Sequence, residues 1–236
     1  MTVSAPAPEK FPLFAFATAM EFSKVFPQDF TSPPQPGTLI LLHGKFQGCY
    51  ACVLGVGMLD FSVALSRILA DTIQINKISA VINVGICGAY PGRGLSLLDL
   101  VWVRNEKLGD LGFEEKDGTP TLWQRTYLGA PPEFAPSLIK GCLDEIPQVT
   151  GATVNCCTGT AERALQRIEL LDCDVESMEG AACLALCAAF NLPAYQIRAV
   201  SNMASTRDKS RWKIPEALEK LRLFFAEGPA KYEHSV

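Results

Sequence analysis

Short apolar runs alternate with amphipathic stretches along most of the chain. The apolar runs predict strands at residues 12–18, 38–44, 48–57, 78–90, 100–105, 148–157 and 194–201. Apolar residues at helical spacing predict helices at residues 58–71, 134–146, 161–171 and about 215–226, and a short helix or turn at 19–26. Strands that alternate with helices predict an α/β fold with a mixed sheet.

The stretch from residue 173 to 202 places charged groups inside an otherwise continuous apolar pattern. Every residue from 178 to 190 except Glu179 is apolar or small, which predicts a helix that is buried on all sides. The next apolar run predicts a strand with Arg198 inside it and Asn202 just beyond its end. Taken alone, Glu179 also suits a helix N-terminus and Arg198 a partner for an acidic residue. Ligands of α/β sheets bind where strands end, so this stretch is the expected place for chemistry.

Composition narrows the class of protein. With 236 residues, 48% hydrophobic and 19% charged, the chain suits one large domain, expected at residues 11–236 behind a disordered tail rich in Ala and Pro at residues 1–10. The net charge of −4 and the scattered basic residues predict no nucleic-acid partner. No run approaches the ~20 apolar residues of a membrane span, and no signal peptide is expected, which predicts a cytoplasmic protein without membrane association.

The cysteine and histidine content favours neither disulfides nor a metal. Nine cysteines are scattered through predicted strands and helices, which is typical of reduced, buried thiols in the cytoplasm. Cys49 and Cys52 form a CxxC, but they lie in a predicted strand and no second pair accompanies them. Only two histidines are present, His43 and His234, so no metal site is expected.

Five segments, in this order, resemble the nucleoside phosphorylase and hydrolase superfamily. They are AFATAME at 15–21, VINVGICGAY at 81–90, TVNCCTGT at 153–160, VESMEGAA at 175–182 and IRAVSN at 197–202. Within that superfamily the chain is similar to the futalosine hydrolases and the methylthioadenosine/S-adenosylhomocysteine nucleosidases, over about residues 14–226. The sequences ESMEGAA, RAVSN and RDKSRW resemble the futalosine hydrolases more than the methylthioadenosine nucleosidases.

The resemblance implies a three-layer α/β/α nucleoside phosphorylase-like fold with a central mixed, twisted sheet. It implies a homodimer that binds a small-molecule nucleoside and cleaves the bond between ribose and purine with water, without a metal or an organic cofactor. The leading expectation is hydrolysis of futalosine to hypoxanthine and dehypoxanthinylfutalosine, a step of menaquinone biosynthesis. One alternative is release of adenine from methylthioadenosine, S-adenosylhomocysteine or aminodeoxyfutalosine. Another is a nucleoside-binding protein without turnover, which has no need of a water-activating acid.

The same motifs imply roles for particular residues. Glu21 would orient and deprotonate the attacking water, and Arg198 would help to position both. Glu179 would accept hydrogen bonds from the ribose hydroxyls, because a carboxylate offers two acceptor oxygens to a vicinal diol. Met178 would pack beneath the sugar. A glycine turn at residues 85–88 would line the ribose and water pocket. The remaining substrate-binding residues are expected to be Ile86, Cys87, Gly88, Glu176 and Ser201.

Ile86 departs from the pattern of the phosphorylases of this superfamily. These enzymes commonly have a hydroxyl residue, as in GT or GS, after the first glycine of this turn. An isoleucine side chain cannot bind phosphate and makes the pocket drier, which favours water as the nucleophile. Backbone amides could still bind an anion, so the side chain alone does not decide the point.

Asn202 stands where adenine-specific nucleosidases usually carry Asp. A protonated Asp can give a proton to N7 of adenine, whereas an amide only donates or accepts hydrogen bonds. Asn therefore suits a 6-oxopurine such as hypoxanthine, which is a better leaving group. In isolation an Asn after a strand also suits a turn.

The pocket for the 5′ substituent is not located by these motifs. Trp102, Arg104, Trp123 and Arg207 are the candidates, since an arginine would suit a carboxylated substrate. The long glycine-rich segment at residues 106–132 is expected to be a functional loop or to contain short strands.

Overall fold

The computed structural model describes residues 9–227, and most of the tail predicted at residues 1–10 lies outside the described residues. The strands are β1 (Phe11–Phe16), β2 (Ile40–Leu41), β3 (Tyr50–Val53), β4 (Ile78–Ala89), β5 (Leu100–Leu108), β6 (Gly112–Glu114), β7 (Pro120–Leu122), β8 (Thr126–Leu128), β9 (Gln148–Thr153), β10 (Val175–Ser177) and β11 (Ala194–Met203). The helices are α1 (Ala19–Val25), α2 (Met58–Ala70), α3 (Thr72–Ile75), α4 (Ser137–Leu143), α5 (Ala161–Leu171), α6 (Gly180–Ala189) and α7 (Ile214–Glu227). Strands and helices alternate as the hydrophobic pattern predicts.

Nine strands form one mixed sheet. Their order is β10, β9, β5, β11, β4, β1, β3, β2, with β8 beside β5, while β6 and β7 form a separate hairpin. The neighbours β3, β1, β4 and β11 are parallel, whereas β5 is antiparallel to β11 and β2 is antiparallel to β3. The carboxyl ends of β4 and β11 therefore lie side by side, with Gly88 opposite Asn202.

The alternation of side chains along β1 shows how the layers form. Phe14 and Phe16 join the apolar cluster that contains α1 and α7. Leu13 and Ala15 join the cluster that contains α2 and α6. Because successive side chains of a strand point to opposite faces, each face of the sheet is covered by its own helices. The three-layer α/β/α fold class is confirmed.

The glycine turn predicted at residues 85–88 is wrong. Both glycines lie inside β4, which continues to Ala89 and pairs with β11 from Val81 to Ala89. A Cβ atom added to Gly85 would lie 2.6 Å from Arg198 Nη1 and 2.6 Å from Glu21 Oε1. Glycine is required here because two charged side chains approach the strand closely, and not because the chain turns.

The helix predicted at residues 178–190 is shorter, and it is buried mainly in its first half. α6 begins at Gly180, with Glu179 as the residue that precedes its first turn. Residues 180–184 are buried, but Ala188 and Ala189 are exposed. Alanine is compatible with core and surface alike, so composition alone did not reveal that this end reaches solvent.

Other boundaries also differ from the predictions. Residues 106–132 contain the end of β5 and the strands β6, β7 and β8. The helix predicted at 134–146 is reduced to α4, which begins directly after Pro136, because a proline lacks a backbone N–H and is tolerated only in the first turn of a helix. The strand predicted at 148–157 ends at Thr153. The strands predicted at 38–44 and 48–57 shorten to β2 and β3, which pair antiparallel. The helices predicted at 58–71, 161–171 and 215–226 are confirmed within a few residues.

Candidate active site

A cavity of about 200 Å³ lies where the carboxyl ends of β4 and β11 meet the start of α1 and the segment before α6. Nine of the ten residues predicted for the site line it. They are Glu21, Ile86, Cys87, Gly88, Glu176, Met178, Glu179, Ser201 and Asn202. The tenth, Arg198, lies behind the wall of the cavity and is only 1% exposed.

Glu21 is held by a capping box at the start of α1. The backbone N–H and the hydroxyl of Thr18 each donate to Glu21 Oε2 at 2.9 Å, and the Ile86 N–H donates to Oε1 at 3.3 Å. Burial raises the pKa of Glu21, Arg198 opposes that rise, and the charge of Glu179 adds to it. A carboxylate with a raised pKa accepts a proton more readily than an exposed one, which suits a general base.

Glu179 reaches the cavity from the residue just before α6. The Gly57 N–H donates to its Oε1 at 2.8 Å, and Arg198 Nη1 lies 4.0 Å from its Oε2. Arg198 is therefore close to both Glu179 and Glu21, since its Nη1 and Glu21 Oε1 converge over Gly85. One buried guanidinium offsets part of the repulsion between two buried carboxylates. Both carboxylates can thus face the same small volume.

Glu176 lines the cavity, but protein groups occupy its carboxylate. The hydroxyls of Tyr90 and Thr158 donate to Oε2 at 2.8 Å and 2.6 Å, and Arg167 Nη1 donates to the same oxygen at 3.0 Å. The Thr158 N–H donates to Oε1 at 2.9 Å. Oε2 accepts three of these hydrogen bonds and Oε1 accepts one, so the carboxylate holds the wall together while Oε1 keeps acceptor capacity.

Residues 155–158 form a wall that follows β9. Arg167 Nη2 donates to the Cys156 carbonyl at 2.8 Å, and Asp110 Oδ2 accepts from the N–H groups of Asn155 and Cys156 at 2.6 Å and 3.2 Å. Within the described residues the Cys157 N–H has no hydrogen-bond partner, and Cys157 lines the cavity. Of the four N–H groups in this wall it alone has no protein partner among the described residues. Residues 148–157 were predicted to form one strand, so the wall at residues 155–158 was missed.

Asn202 follows an irregularity in β11, where the register with β4 shifts between Val200 and Asn202. The Ser201 hydroxyl lies 2.8 Å from Asn202 Oδ1 and 3.2 Å from the Cys87 carbonyl. The amide nitrogen of Asn202 makes one long contact, 3.4 Å, with the Met203 carbonyl. An amide nitrogen carries two donors, so at least one N–H of Asn202 can be offered to a ligand acceptor.

Trp212 also lines the cavity and was not among the predicted site residues. It lies in the RDKSRW segment, which was noted only for its similarity to the futalosine hydrolases. A tryptophan among charged residues could by itself have indicated a binding site. Arg207 stacks against Trp212 with its guanidinium 5.9 Å from the ring centroid.

None of the four candidates for the 5′ pocket lines the cavity, although Arg207 stacks on Trp212, which does. Trp102 is buried in the core, Arg104 stacks on Trp102 at 5.5 Å, and Trp123 is exposed elsewhere. Their aromatic or charged character suggested binding, but each lies on a strand or loop away from the carboxyl ends of β4 and β11.

Several general features of the described residues limit the chemistry. All nine cysteines are free thiols. Between residues 9 and 227 no group of three or more His, Cys, Asp or Glu side chains could hold a metal ion. No helix in this range is long and apolar enough to cross a membrane. The polar groups that line the cavity are carboxylates, an amide, hydroxyls, the thiols of Cys87 and Cys157, and the ring of Trp212.

The sequence matches a family model described as the phosphorylase superfamily over residues 18–227. It is 33% identical to the futalosine hydrolase of Thermus thermophilus over 190 residues, which is 75% of this chain and 81% of that protein. It is 31% identical to the futalosine hydrolase of Streptomyces coelicolor over 226 residues, which is 89% of this chain and 91% of that protein.

Solved structures share the fold at lower identity. The 5′-methylthioadenosine/S-adenosylhomocysteine nucleosidase of Helicobacter pylori superimposes with a TM-score of 0.72 at 15% identity, over 92% of this chain and 96% of that one. The native futalosine hydrolase of the same organism gives a TM-score of 0.72 at 15% identity, over 91% and 95%. At these identities the two structures support the fold and do not distinguish between substrates.

Proposed function

The chain belongs to the phosphorylase superfamily, and we propose that within it the protein is a futalosine hydrolase. The reaction is hydrolysis of the N-glycosidic bond between ribose and hypoxanthine, which yields hypoxanthine and dehypoxanthinylfutalosine in menaquinone biosynthesis. The observation that carries this proposal is the pair of buried carboxylates, Glu21 and Glu179, that face one cavity and share Arg198.

The two carboxylates have separate tasks in this proposal. Glu179 accepts hydrogen bonds from the ribose hydroxyls and places negative charge near the sugar, which becomes cationic as the bond breaks. Glu21, whose Oε1 is oriented by Ile86 N–H and Oε2 by Thr18, orients a water molecule and takes its proton. Met178 packs beneath the sugar, and Arg198 positions both carboxylates without entering the cavity.

The leaving base is held by hydrogen bonds rather than by a general acid. The free N–H of Asn202 suits an acceptor on a 6-oxopurine, and the unpaired Cys157 N–H offers a second donor at the wall. An Asn side chain cannot protonate N7, so a base that leaves with less protonation, such as hypoxanthine, is favoured over adenine. This supports futalosine over adenine nucleosides.

We also propose that the protein works as a homodimer in the cytoplasm. Val56, which lines the cavity, is exposed, as are Leu59 and Val63 on α2. An apolar patch beside the cavity is a suitable surface for a second copy of the chain. Free thiols throughout the chain suit a reducing compartment. Size-exclusion chromatography with light scattering tests the dimer.

The proposed activity is tested by offering the protein equal amounts of futalosine, aminodeoxyfutalosine, methylthioadenosine and inosine, without and with phosphate. Released bases are separated chromatographically. Hypoxanthine from futalosine at a rate that does not depend on phosphate supports the proposal. Preferential release of adenine contradicts the proposed substrate, and no release from any nucleoside contradicts the proposed enzyme activity.

A further inference from the structure

Glu106 is a third buried carboxyl group beneath the candidate active site, and it has no role in the reaction proposed above. It lies on β5 and is 1% exposed. Among the described residues no lysine, arginine or histidine forms an ion pair with it. A buried carboxyl without a direct ionic partner is costly, so its retention calls for a physical reason.

Two glycines make room for this side chain. A Cβ atom added to Gly151 of β9 would lie 2.6 Å from Glu106 Oε1, and one added to Gly180 at the start of α6 would collide with the same oxygen. Neither glycine has a positive φ, so backbone conformation does not require glycine there. The space that they leave is occupied by the Glu106 carboxyl group.

Hydrogen bonds connect Glu106 to the start of α6. The Thr153 hydroxyl oxygen lies 2.9 Å from Glu106 Oε2 and accepts from the Ala181 N–H at 2.7 Å. Ala181 is two residues after Glu179, whose carboxylate faces the cavity. The contact between Glu106 and Thr153 is thus connected by one hydrogen bond to the segment that carries Glu179.

A second path connects Glu106 to Arg198. Gln196 Nε2 donates to Glu106 Oε1 at 3.2 Å, and Gln196 Oε1 lies 3.5 Å from Arg198 Nη2. Asn83 Nδ2 donates to the same Gln196 oxygen at 3.3 Å. Gln196 and Arg198 are alternate residues of β11, so their side chains share one face of the sheet. The guanidinium beside Glu21 and Glu179 is therefore held from behind by an amide that Glu106 fixes.

We propose that Glu106 is a positioning residue of the active site, which holds Glu179 through Thr153 and α6 and holds Arg198 through Gln196. Its protonated form supports this arrangement, because a proton on Oε2 can be donated to the Thr153 hydroxyl oxygen while Oε1 still accepts from Gln196. Its ionised form adds a negative charge beside Glu179 and competes with Glu21 for Arg198. The inference rests on the proposed function only for the roles of Glu21 and Glu179.

The charged surroundings of Glu106 determine when it ionises. Burial raises the pKa of Glu106 to about 7, whereas Thr153, Arg198 and Gln196 act to lower it and Glu179 raises it further. The other titratable groups close enough to interact with it are the thiols of Cys87 on β4 and of Cys173 before β10, and burial raises the pKa of each to about 12. Those thiols stay neutral through the neutral range, so the groups that can titrate there are carboxyls: Glu106, and Glu21, whose pKa burial also raises. The part of the titration that Glu106→Gln removes belongs to Glu106.

The deciding variant is Glu106→Gln, which keeps the shape and hydrogen-bonding capacity of the side chain and cannot ionise. Infrared difference spectra of the resting protein, recorded while pH is raised, should show loss of a protonated carboxyl band near neutral pH in the wild type and no such component in the variant. The exposed carboxylate variant Glu114→Gln should keep the wild-type band. This titration needs no substrate, so it stands even if the proposed nucleoside is wrong.

Kinetics with any nucleoside that the protein cleaves tests the positioning role. In the wild type kcat/KM should fall as pH rises through about 7, because ionised Glu106 draws Arg198 away, and Glu106→Gln should not show this fall. Glu106→Ala should lose on the order of 100-fold in kcat/KM, which is the scale of an ångström-level misplacement of catalytic groups. Glu106→Gln should recover most of that loss.

Three results would overturn the proposal. One is a neutral-pH carboxyl band, or a fall in kcat/KM, that is unchanged in Glu106→Gln. Another is wild-type activity in a folded Glu106→Ala. The third is an inactive Glu106→Gln that unfolds at the wild-type temperature. If Glu106→Ala does not fold, the infrared and pH profiles of Glu106→Gln decide alone.

Discussion

The Glu21 carboxylate lies against Gly85 of β4, so closely that a Cβ atom on Gly85 would be 2.6 Å from Glu21 Oε1. Gly85→Ala should displace Glu21 and Arg198 while leaving the strand intact, because the strand conformation accepts alanine. We expect kcat to fall on the order of 100-fold. Steady-state kinetics measures the loss.

The matched control for this change is Gly141→Ala. A Cβ atom there would meet no heavy atom within 4 Å, and Gly141 lies inside α4. Alanine should leave activity unchanged and stabilise the helix slightly. A Gly85→Ala variant with normal kcat would show that the close approach to Glu21 has no catalytic consequence.

Glu21→Gln should abolish turnover and keep nucleoside binding, because glutamine retains the capping hydrogen bonds but cannot take a proton from water. Activity of the wild type should be lost on acidification at a pH above 4.5, since burial raises the pKa of Glu21 above that ordinary value and the proton blocks the base. Isothermal titration calorimetry measures nucleoside binding, and the dependence of kcat on pH measures the loss of activity on acidification.

The exposed carboxylate Glu169 of α5 provides the control, and Glu169→Gln should behave like the wild type. A Glu21→Gln variant with a near-normal rate would remove Glu21 from the mechanism. Loss of binding together with turnover would assign it to substrate affinity instead.

Asn202→Asp should shift preference toward adenine nucleosides, because a carboxyl group can protonate the leaving base and an amide cannot. The measurement is the ratio of hypoxanthine to adenine released from an equimolar mixture of futalosine and aminodeoxyfutalosine. An unchanged ratio would show that this position does not select the base.

Arg167→Met should destabilise the fold. Arg167 and Glu176 form an ion pair at 3.0 Å with both side chains 5% exposed, and removal of one partner leaves the other charge buried. Such a loss costs about 3–5 kcal/mol in free energy of unfolding. Urea denaturation measures it, with the exposed Arg163→Met on the same helix expected within about 0.5 kcal/mol of the wild type. Equal stability of both variants would mean that the pair does not hold the wall.

Local pattern was enough to predict much of the fold. In β1 the run FPLFAF is apolar throughout because both faces of the strand are buried, and in α2 the spacing of apolar residues matches the face that packs on the sheet. Chemistry-bearing residues were also predicted, since the motifs around Glu21, Glu179 and Asn202 place charged and polar groups where strands end. These features depend on neighbours in sequence.

Features that depend on remote residues were not predicted. The wall at residues 155–158 is held by Asp110, which lies far earlier in the chain, and by Arg167, which lies on α5. Glu176 was expected to bind substrate as part of the VESMEGAA segment, but its four hydrogen bonds from Tyr90, Thr158 and Arg167 were not predicted. Gly85 suggested a turn because glycine has two uses, conformational freedom and lack of bulk, that sequence does not separate.

The most direct test of the account is the ratio of kcat/KM for futalosine to kcat/KM for aminodeoxyfutalosine, measured on the same preparation with and without phosphate. These two nucleosides differ in the base that the Asn202 side of the cavity must hold. We predict a preference for futalosine on the order of 100-fold, the scale expected when a site hydrogen-bonds one functional group and leaves its replacement unpaired, with no effect of phosphate. A ratio near one, or faster cleavage of aminodeoxyfutalosine, would contradict the account.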